Sequence, residues 1–197
     1  MGRRGRVAVV LTVVASLGAL GIALLAGLVQ VAPRGPLQPP ADEPVVGVGV
    51  PIDLGERVSV GILSVKNPRH ASVTIRDVRL VDADPELHLV GTLLVPDWAT
   101  QIGSVYGFPV PHPRSLLRIR HPPSAPGAHV PSGPGRTAII LGLSVSAPGH
   151  YAFHGVEIDY ESGGRNYRSV YPVSAELCAP RRLYSHGCDE VVVPPMA

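Results

Sequence analysis

The sequence predicts an all-β chain: one antiparallel β-sandwich domain following a single N-terminal transmembrane helix. Three observations carry that expectation. An uncharged apolar run extends from Val7 to Val29, a proline-dense stretch follows it, and the remainder of the 197 residues alternates with period two between Gly and Pro punctuation.

The apolar run, VAVVLTVVASLGALGIALLAGLV, contains only Thr12 and Ser16 as polar side chains. At about 1.5 Å per helical residue its 23 residues reach roughly 34 Å, enough for a hydrocarbon core of about 30 Å. Arg3, Arg4 and Arg6 precede it, and positive charge beside a first span stays cytoplasmic. The expected topology is a cytoplasmic tail over residues 1–6, a signal anchor over 7–29, and an extracytoplasmic C-terminal part at the plasma membrane. The competing reading is a cleaved signal peptide. Its apolar region is usually about 7–15 residues long, and the best small-x-small site here, before Pro33, has proline directly after the cut. Within the span, Ala15, Ala19, Ala23 and Gly27 recur every fourth residue. Such a stripe allows close helix approach and weak self-association, although Ala and Gly are also simply common in this chain.

Net charge excludes one class of partner. The formal charge is +2, but Arg3, Arg4, Arg6 and Arg34 against Asp42 and Glu43 account for all of it. The part from Val45 onward carries 13 basic and 13 acidic residues, so nothing argues for nucleic acid. Residues 30–44, with PRGPLQPPADEP at their centre, read as a proline-rich linker of extended geometry. That leaves residues 45–197 as the ectodomain, long enough for one hydrophobic core.

Each strand can be read in order. Val58, Val60 and Ile62 alternate with Ser59 and Gly61 before an Asn67-Pro68 turn. Val73 and Ile75 share a face that Val78 and Leu80 continue after a one-residue slip near Arg76-Asp77, the mark of a bulge. Leu87 and Leu89 lead into a strand through Leu93 and Val95, and Ile139, Leu141, Leu143 and Val145 alternate later. Val156, Ile158 and Tyr160 alternate with Glu157, Asp159 and Glu161; Ser162-Gly163-Gly164 turns the chain, and Tyr167, Tyr171 and Val173 return. Pro172 cannot donate to a ladder, so the second half of that return strand is expected at an edge. Seven to nine short strands with these turns indicate a sandwich of the immunoglobulin-like kind.

VSVGILSVKNPRHASVTIRDVRLV and AIILGLSVSAPGHYAFHGVEIDY resemble bacterial immunoglobulin-like modules. The late G-V-x-I-x-Y-x-x-G-G-R hairpin is also similar to that of single-pass envelope proteins of GC-rich actinobacteria. The resemblance covers roughly residues 56–95 and 136–178 and implies fold, not activity. It lacks the inter-sheet cysteine pair of antibody domains, and Trp98 stands in no Cys…Trp…Cys arrangement.

Residues 107–135 interrupt the matched parts with eight prolines in 29 residues. A short strand is expected over Leu116–Ile119. Loops of this length commonly bind something, which makes His112, Arg114, Arg118, Arg120, His121 and His129 the candidate interaction loop.

The only cysteines are Cys178 and Cys188. In an oxidising compartment they are expected as a disulfide. A zinc site would need more ligands than His186 adds. No cofactor and no metal are expected, since His150 and His154 would stand about 13 Å apart on a strand. The sequence carries no nucleophile elbow, no HExxH, no P-loop and no dinucleotide fingerprint, so no enzyme is expected. The leading expectation is a membrane-anchored binding or scaffolding module that acts through sheet edges and the 107–135 loop on an envelope protein partner. The alternatives are a metal-binding exported protein using His112, His121 and His129, and a structural spacer within a membrane complex.

Overall fold

A computed structural model describes residues 35–38, 47–68, 71–96, 103–111, 113, 117, 119–184 and 187–188. The tail, the span with Ala15, Ala19, Ala23 and Gly27, and most of the linker lie outside the described residues. Among those described, no helix is long and apolar enough to cross a membrane.

The described chain is all-β. Its strands are β1 (Gly47–Pro51), β2 (Val58–Asn67), β3 (Val73–Val81), β4 (Leu87–Val95), β5 (Gly103–Tyr106), β6 (His129–Val130), β7 (Gly133–Val145), β8 (Gly149–Phe153), β9 (Gly155–Ser162), β10 (Arg165–Tyr171) and β11 (Ser174–Ala179). One turn of 3-10 helix follows at Arg181–Leu183. The first layer is a four-stranded sheet in the order β4-β7-β2-β5. The second layer holds two hydrogen-bonded sheets, β10-β9-β3-β6 and β1-β11-β8. A long hairpin runs through both, β8 pairing with β11 and β9 with β10.

The layers enclose one main core. Val58, Val60, Leu63, Ile139, Leu141 and Leu143 from the first layer meet Val73, Ile75, Phe153, Val156, Ile158 and Leu177 from the second. Each is essentially withdrawn from water. Burying such a side chain contributes about 1.5–3 kcal/mol, which makes this apolar contact the dominant stabilising term.

Bulges adjust the phase of three strands. In β3, Ile75 faces Tyr160 and Asp77 faces Asp159, so Arg76 is the extra residue at the slip read from the sequence. In β2 the register shifts between Val60 and Leu63. In β4 the shift between Leu89 and Gly91 inserts Val90 between paired positions. Leu87, Leu89 and Leu94 thus face the main core, while Leu93 and Val95 turn to the opposite face.

On that opposite face lies a second, smaller core. Leu93, Val95, Ala138 and Ile140 are covered by Val110 and Leu117, with Phe108 and Ile119 packed against them. The Phe108 ring rests on Gly142, where an added Cβ would lie 2.4–2.6 Å from its atoms. Gly91, cross-strand from Gly142, comes almost as close. Two facing glycines thus leave a flat seat for one aromatic ring.

The rest of the proline-rich stretch is laced onto both layers. Leu94 N–H donates to Pro123 O at 2.9 Å and Ala125 N–H to Thr92 O at 3.0 Å, along β4. Gly127 N–H then donates to Ile75 O at 2.8 Å, and Ile75 N–H to Ala128 O at 3.0 Å, along β3. A strand over Leu116–Ile119 is not found at the described positions Leu117 and Ile119. Among the described residues the strands of this stretch are β6, whose backbone pairs with β3, and the first residues of β7 from Gly133.

Three further expectations need correction. Gly35–Gln38, assigned by sequence to the linker, belongs to the sandwich. Leu37 is buried in the main core, and Gln38 exchanges two 3.0 Å backbone hydrogen bonds with Lys66 at the end of β2. Local proline content favours extended backbone, and an extended backbone can pair. Not every pairing is antiparallel, since β1 lies parallel to β11, as the long connection between them permits. Finally, the edge lies before Pro172 rather than after it. β10 is the outer strand of its sheet, whereas β11 sits between β1 and β8. A tight turn separates them, Val173 N–H donating to Tyr171 O at 2.9 Å.

Two substitutions test this packing. Leu37→Ala should lower unfolding stability by about 2–5 kcal/mol, the usual cost of emptying a buried leucine site, where a free linker residue would be silent in a urea titration. Gly142→Val should displace the Phe108 ring and cost about 1–3 kcal/mol, and Phe108→Ala in the same chain should recover part of that loss.

Candidate interaction surface

β10 has one strand beside it, β9, with the register Arg165↔Ser162 through Tyr171↔Val156. Its other side carries no strand among the described residues. The hairpin that presents it is closed by Gly163 and Gly164, both at positive φ (57° and 72°). That pair of conformations suits the right-handed twist of the flanking strands and is readily adopted by glycine. Tyr167, Ser169 and Tyr171 alternate with Asn166, Arg168 and Val170 along β10. Tyr171 is buried, and Val170, 55 % exposed, is the most exposed of the large apolar side chains among the described residues.

Inward, the strand is anchored by aromatic packing. Tyr160 and Tyr167 stack with ring centroids 5.5 Å apart, and the Tyr160 hydroxyl lies 3.3 Å from Ser169 Oγ. Burial raises the pKa of Tyr160 and raises that of Tyr171 further. Neither phenol ionises in the physiological range, so both act as packing residues.

Outward, β3, β9 and β10 form a charged face. Arg168 grips Asp159 with two hydrogen bonds, Nε to Oδ1 at 2.7 Å and Nη2 to Oδ2 at 2.9 Å. Arg79 also pairs with Asp159, donates to Asp77 at 2.8 Å, and lies 3.5 Å from Glu157. Arg76 pairs with Glu161. Asp77 and Asp159 are directly opposite across the strands, a repulsive placement that Arg79 relieves by contacting both. The arginines are half exposed, and each such pair contributes at most about 1 kcal/mol. The network therefore orders the face more than it stabilises the fold.

Elsewhere the structure tightens two corners. Cys178 and Cys188 form a disulfide with Cα atoms 5.5 Å apart, within the usual range. Cys188 packs on Gly49 of β1, where an added Cβ would lie 3.5 Å from Cys188 Cβ. His150 faces Cys178 across the strands, donates from Nδ1 to Glu176 Oε1 at 2.7 Å, and meets Tyr184 edge-on at 4.7 Å. At the second corner Arg181 pairs with Glu56, lies 4.1 Å over the Tyr106 ring, and donates its backbone N–H to Asp53 at 3.2 Å. Burial by itself would raise the Glu56 pKa. The Arg181 hydrogen bond, the Asp53 N–H and the Arg181 charge outweigh it and hold the carboxyl below its ordinary value.

The candidate loop residues are not gathered in one place by what is described. His112, Arg114 and Arg118 lie outside the described residues, as do Trp98 and His186. Arg120 and His121 are exposed. His129 sits on β6 with Nδ1 3.0 Å from Thr74 Oγ1. Among the described residues no three His, Cys, Asp or Glu side chains come together as metal ligands would. The sequence names this return strand and expects an edge there, but places the edge in its second half and does not single out Arg168, although Glu157, Asp159 and Glu161 alternate in β9 and Arg168 follows the turn. What one sequence does not state is which strand flanks which.

No protein-family model matches the sequence, and no curated protein does. Matches among solved structures include the VesB protease of Vibrio cholerae, with 10 % identity, TM-score 0.36, and coverage of 74 % of this chain and 32 % of that one. A mutant of CfaE, the CFA/I adhesin of enterotoxigenic E. coli, matches with 11 % identity, TM-score 0.31, and coverage of 73 % and 48 %. This chain thus spans well under two thirds of either protein. At these scores neither likeness carries an argument about function.

Two outcomes follow from the site. Asp159 has its pKa lowered chiefly by the Arg168 hydrogen bond, against a smaller opposing effect of burial and with help from the Arg168 and Arg79 charges. Its folded value is below its unfolded one, so its contribution is present at neutral pH and lost as pH falls through the depressed value. Asp159→Asn should therefore cost under about 1 kcal/mol at pH 7, with a deficit that shrinks below the ordinary carboxyl value of 3.8, read from urea midpoints against pH. Replacing Cys178 and Cys188 together by Ser opens a loop of sequence separation 10 and should lower stability by roughly 3 kcal/mol, measured by the same titration.

Proposed function

We propose that the chain is a membrane-anchored, extracytoplasmic binding or scaffolding module of the cell envelope, with an immunoglobulin-like ectodomain that acts by binding rather than catalysis. The single observation that carries this reading is the edge of β10, which no second strand covers among the described residues. Edge strands offer unpaired backbone groups, and natural proteins blunt them unless they are used. Here 123–130 runs along β4 and β3, while β10 has a strand on one side alone among the described residues and carries an exposed valine. A partner segment added as an extended strand would draw affinity from main-chain hydrogen bonds and selectivity from Arg165 and Arg168, which favours a segment bearing carboxylates.

The immunoglobulin-like assignment rests on strand order. β2, β7 and β4 adjoin in one layer, and β3, the β8/β9 strand, the β10/β11 strand and β1 follow one another in the other. From β1 to β4, and again from β5 to β8, consecutive strands alternate between the layers, as the crossing connections of Greek-key sandwiches do. The anchor rests on the Val7–Val29 run and its preceding arginines.

A photoreactive amino acid at Val170 of the full chain, expressed in its own membranes, tests the binding mode. The expected product joins β10 to an extended, acidic segment of another protein, mapped by mass spectrometry, and Arg168→Glu reduces its yield at least several-fold. Equal yields from position 170 and from exposed Leu54 at the other end of the domain would refute it.

A further inference from the structure

The two sides of the β10 edge differ in chemistry. The turn at Gly163-Gly164 makes Arg165 and Ser162 the closing pair of the hairpin, and across a two-residue turn such a pair is hydrogen-bonded. The backbone groups of Arg165, Tyr167, Ser169 and Tyr171 therefore point at β9. Those of Asn166, Arg168 and Val170 point away from it, and a strand laid beside β10 bonds to these three residues. Side chains along that strand alternate between the outer charged face and the inner side, which Arg165, Tyr167 and Ser169 share.

The outer side does not call for an acid. Across β3, β9 and β10 it carries Arg76, Arg79 and Arg168 against Asp77, Glu157, Asp159 and Glu161, three positive charges against four negative. At its far edge His129 of β6 is engaged by Thr74. Arg168 directs Nε and Nη2 to Asp159 and lies 3.4 Å from Glu157, and Arg79 contacts the same two acids. A carboxylate arriving beside Arg168 would meet Asp159 and Glu157 as well. Next along this side stands exposed Val170.

The inner side is different. Tyr167, stacked on Tyr160, and Ser169 are both half-buried. Arg165 is exposed, and its guanidinium has no partner among the described residues. The turn beside it is open, since a side chain at Gly163 or Gly164 would meet no atom within 4 Å.

We propose that β10 takes an extended protein segment with a single carboxylate, held by Arg165 on the inner side next to the hairpin turn, and with uncharged side chains beside Arg168 and Val170 on the outer side. The inference rests on the edge-binding reading above and specifies its partner. Main-chain bonds to Asn166, Arg168 and Val170 hold such a segment, and Arg165 fixes its register. An apolar side chain next along its inner side removes the exposed part of Tyr167 from water. Acids on the outer side are refused by Asp159 and Glu157.

The test measures fluorescence anisotropy of capped valine/threonine peptides, seven residues long to match β10, added to the full chain in detergent micelles. Two peptides carry one glutamate at the first or the last position, so that one of them brings it to Arg165 whichever way the strand runs. A third carries it at the centre, beside Arg168, and a fourth has glutamine in its place. One end-substituted peptide should bind about two- to fivefold more tightly than the glutamine peptide, the range of an exposed ion pair, and the central glutamate should bring no gain. Arg165→Gln should erase the preference while keeping the wild-type melting curve, Arg168→Gln should retain it, and Arg165→Glu should transfer it to a peptide with lysine at that end. A preference that survives Arg165→Gln, or that belongs to the central glutamate, overturns this proposal and leaves the edge reading standing. Binding by none of the peptides overturns the edge reading and the proposal together.

Discussion

The structure depends on one constraint: β7 buries both of its faces. Thr137 to Val145 are nine consecutive residues hidden from water, and neighbouring β2 is nearly as enclosed. A sheet of this kind must be covered twice. The β3, β8/β9 and β10/β11 strands cover one side and make the main core. The other side is covered by the stretch that begins at Phe108, seated on Gly142 and Gly91. Prolines in that stretch suppress competing regular structure, and its apolar residues, Val110 and Leu117, supply the second core. The segment that looked most like a free binding loop thus has a structural task along much of its length.

This double coverage determines what remains open. The proline-rich stretch continues along β4 and β3, the disulfide corner presses on β1, and Gly35–Gln38 takes up the end of β2. Among the described residues β10 has a strand on one side alone, and after Pro172 the chain turns inward into β11. The acid–arginine lattice on β3, β9 and β10 adds little stability, yet it holds Arg168 in a defined position beside that edge. Orientation and electrostatics act together here, the first limiting where an extended partner can lie and the second limiting what charge it carries.

Much of this was legible in the sequence and some was not, for physical reasons. Alternation in Val156–Glu161 and the paired glycines after it named the hairpin, because a two-residue turn allows few geometries. The slip at Arg76 was visible because a bulge breaks the period on one face. The disulfide was legible from the scarcity of cysteine. By contrast, residues 137–145 are apolar on alternate and intervening positions alike, and that pattern says a strand is enclosed without saying by what. The docking of Leu37 and the lacing of 123–130 depend on contacts distant in sequence, which local pattern does not encode. β5 is only four residues long, too short to announce itself. The candidate His and Arg residues of the loop were chosen by composition, which records polarity but not where the backbone is tied down.

Amide hydrogen exchange along β10 in the isolated full chain tests the central claim most directly, because it asks whether that edge is free. The expected result is an alternating pattern, with amides bonded to β9 protected and those facing away exchanging rapidly from Asn166 to Val170. Uniformly slow exchange across these positions would mean that the edge is already occupied, and the proposed binding surface would be lost with it.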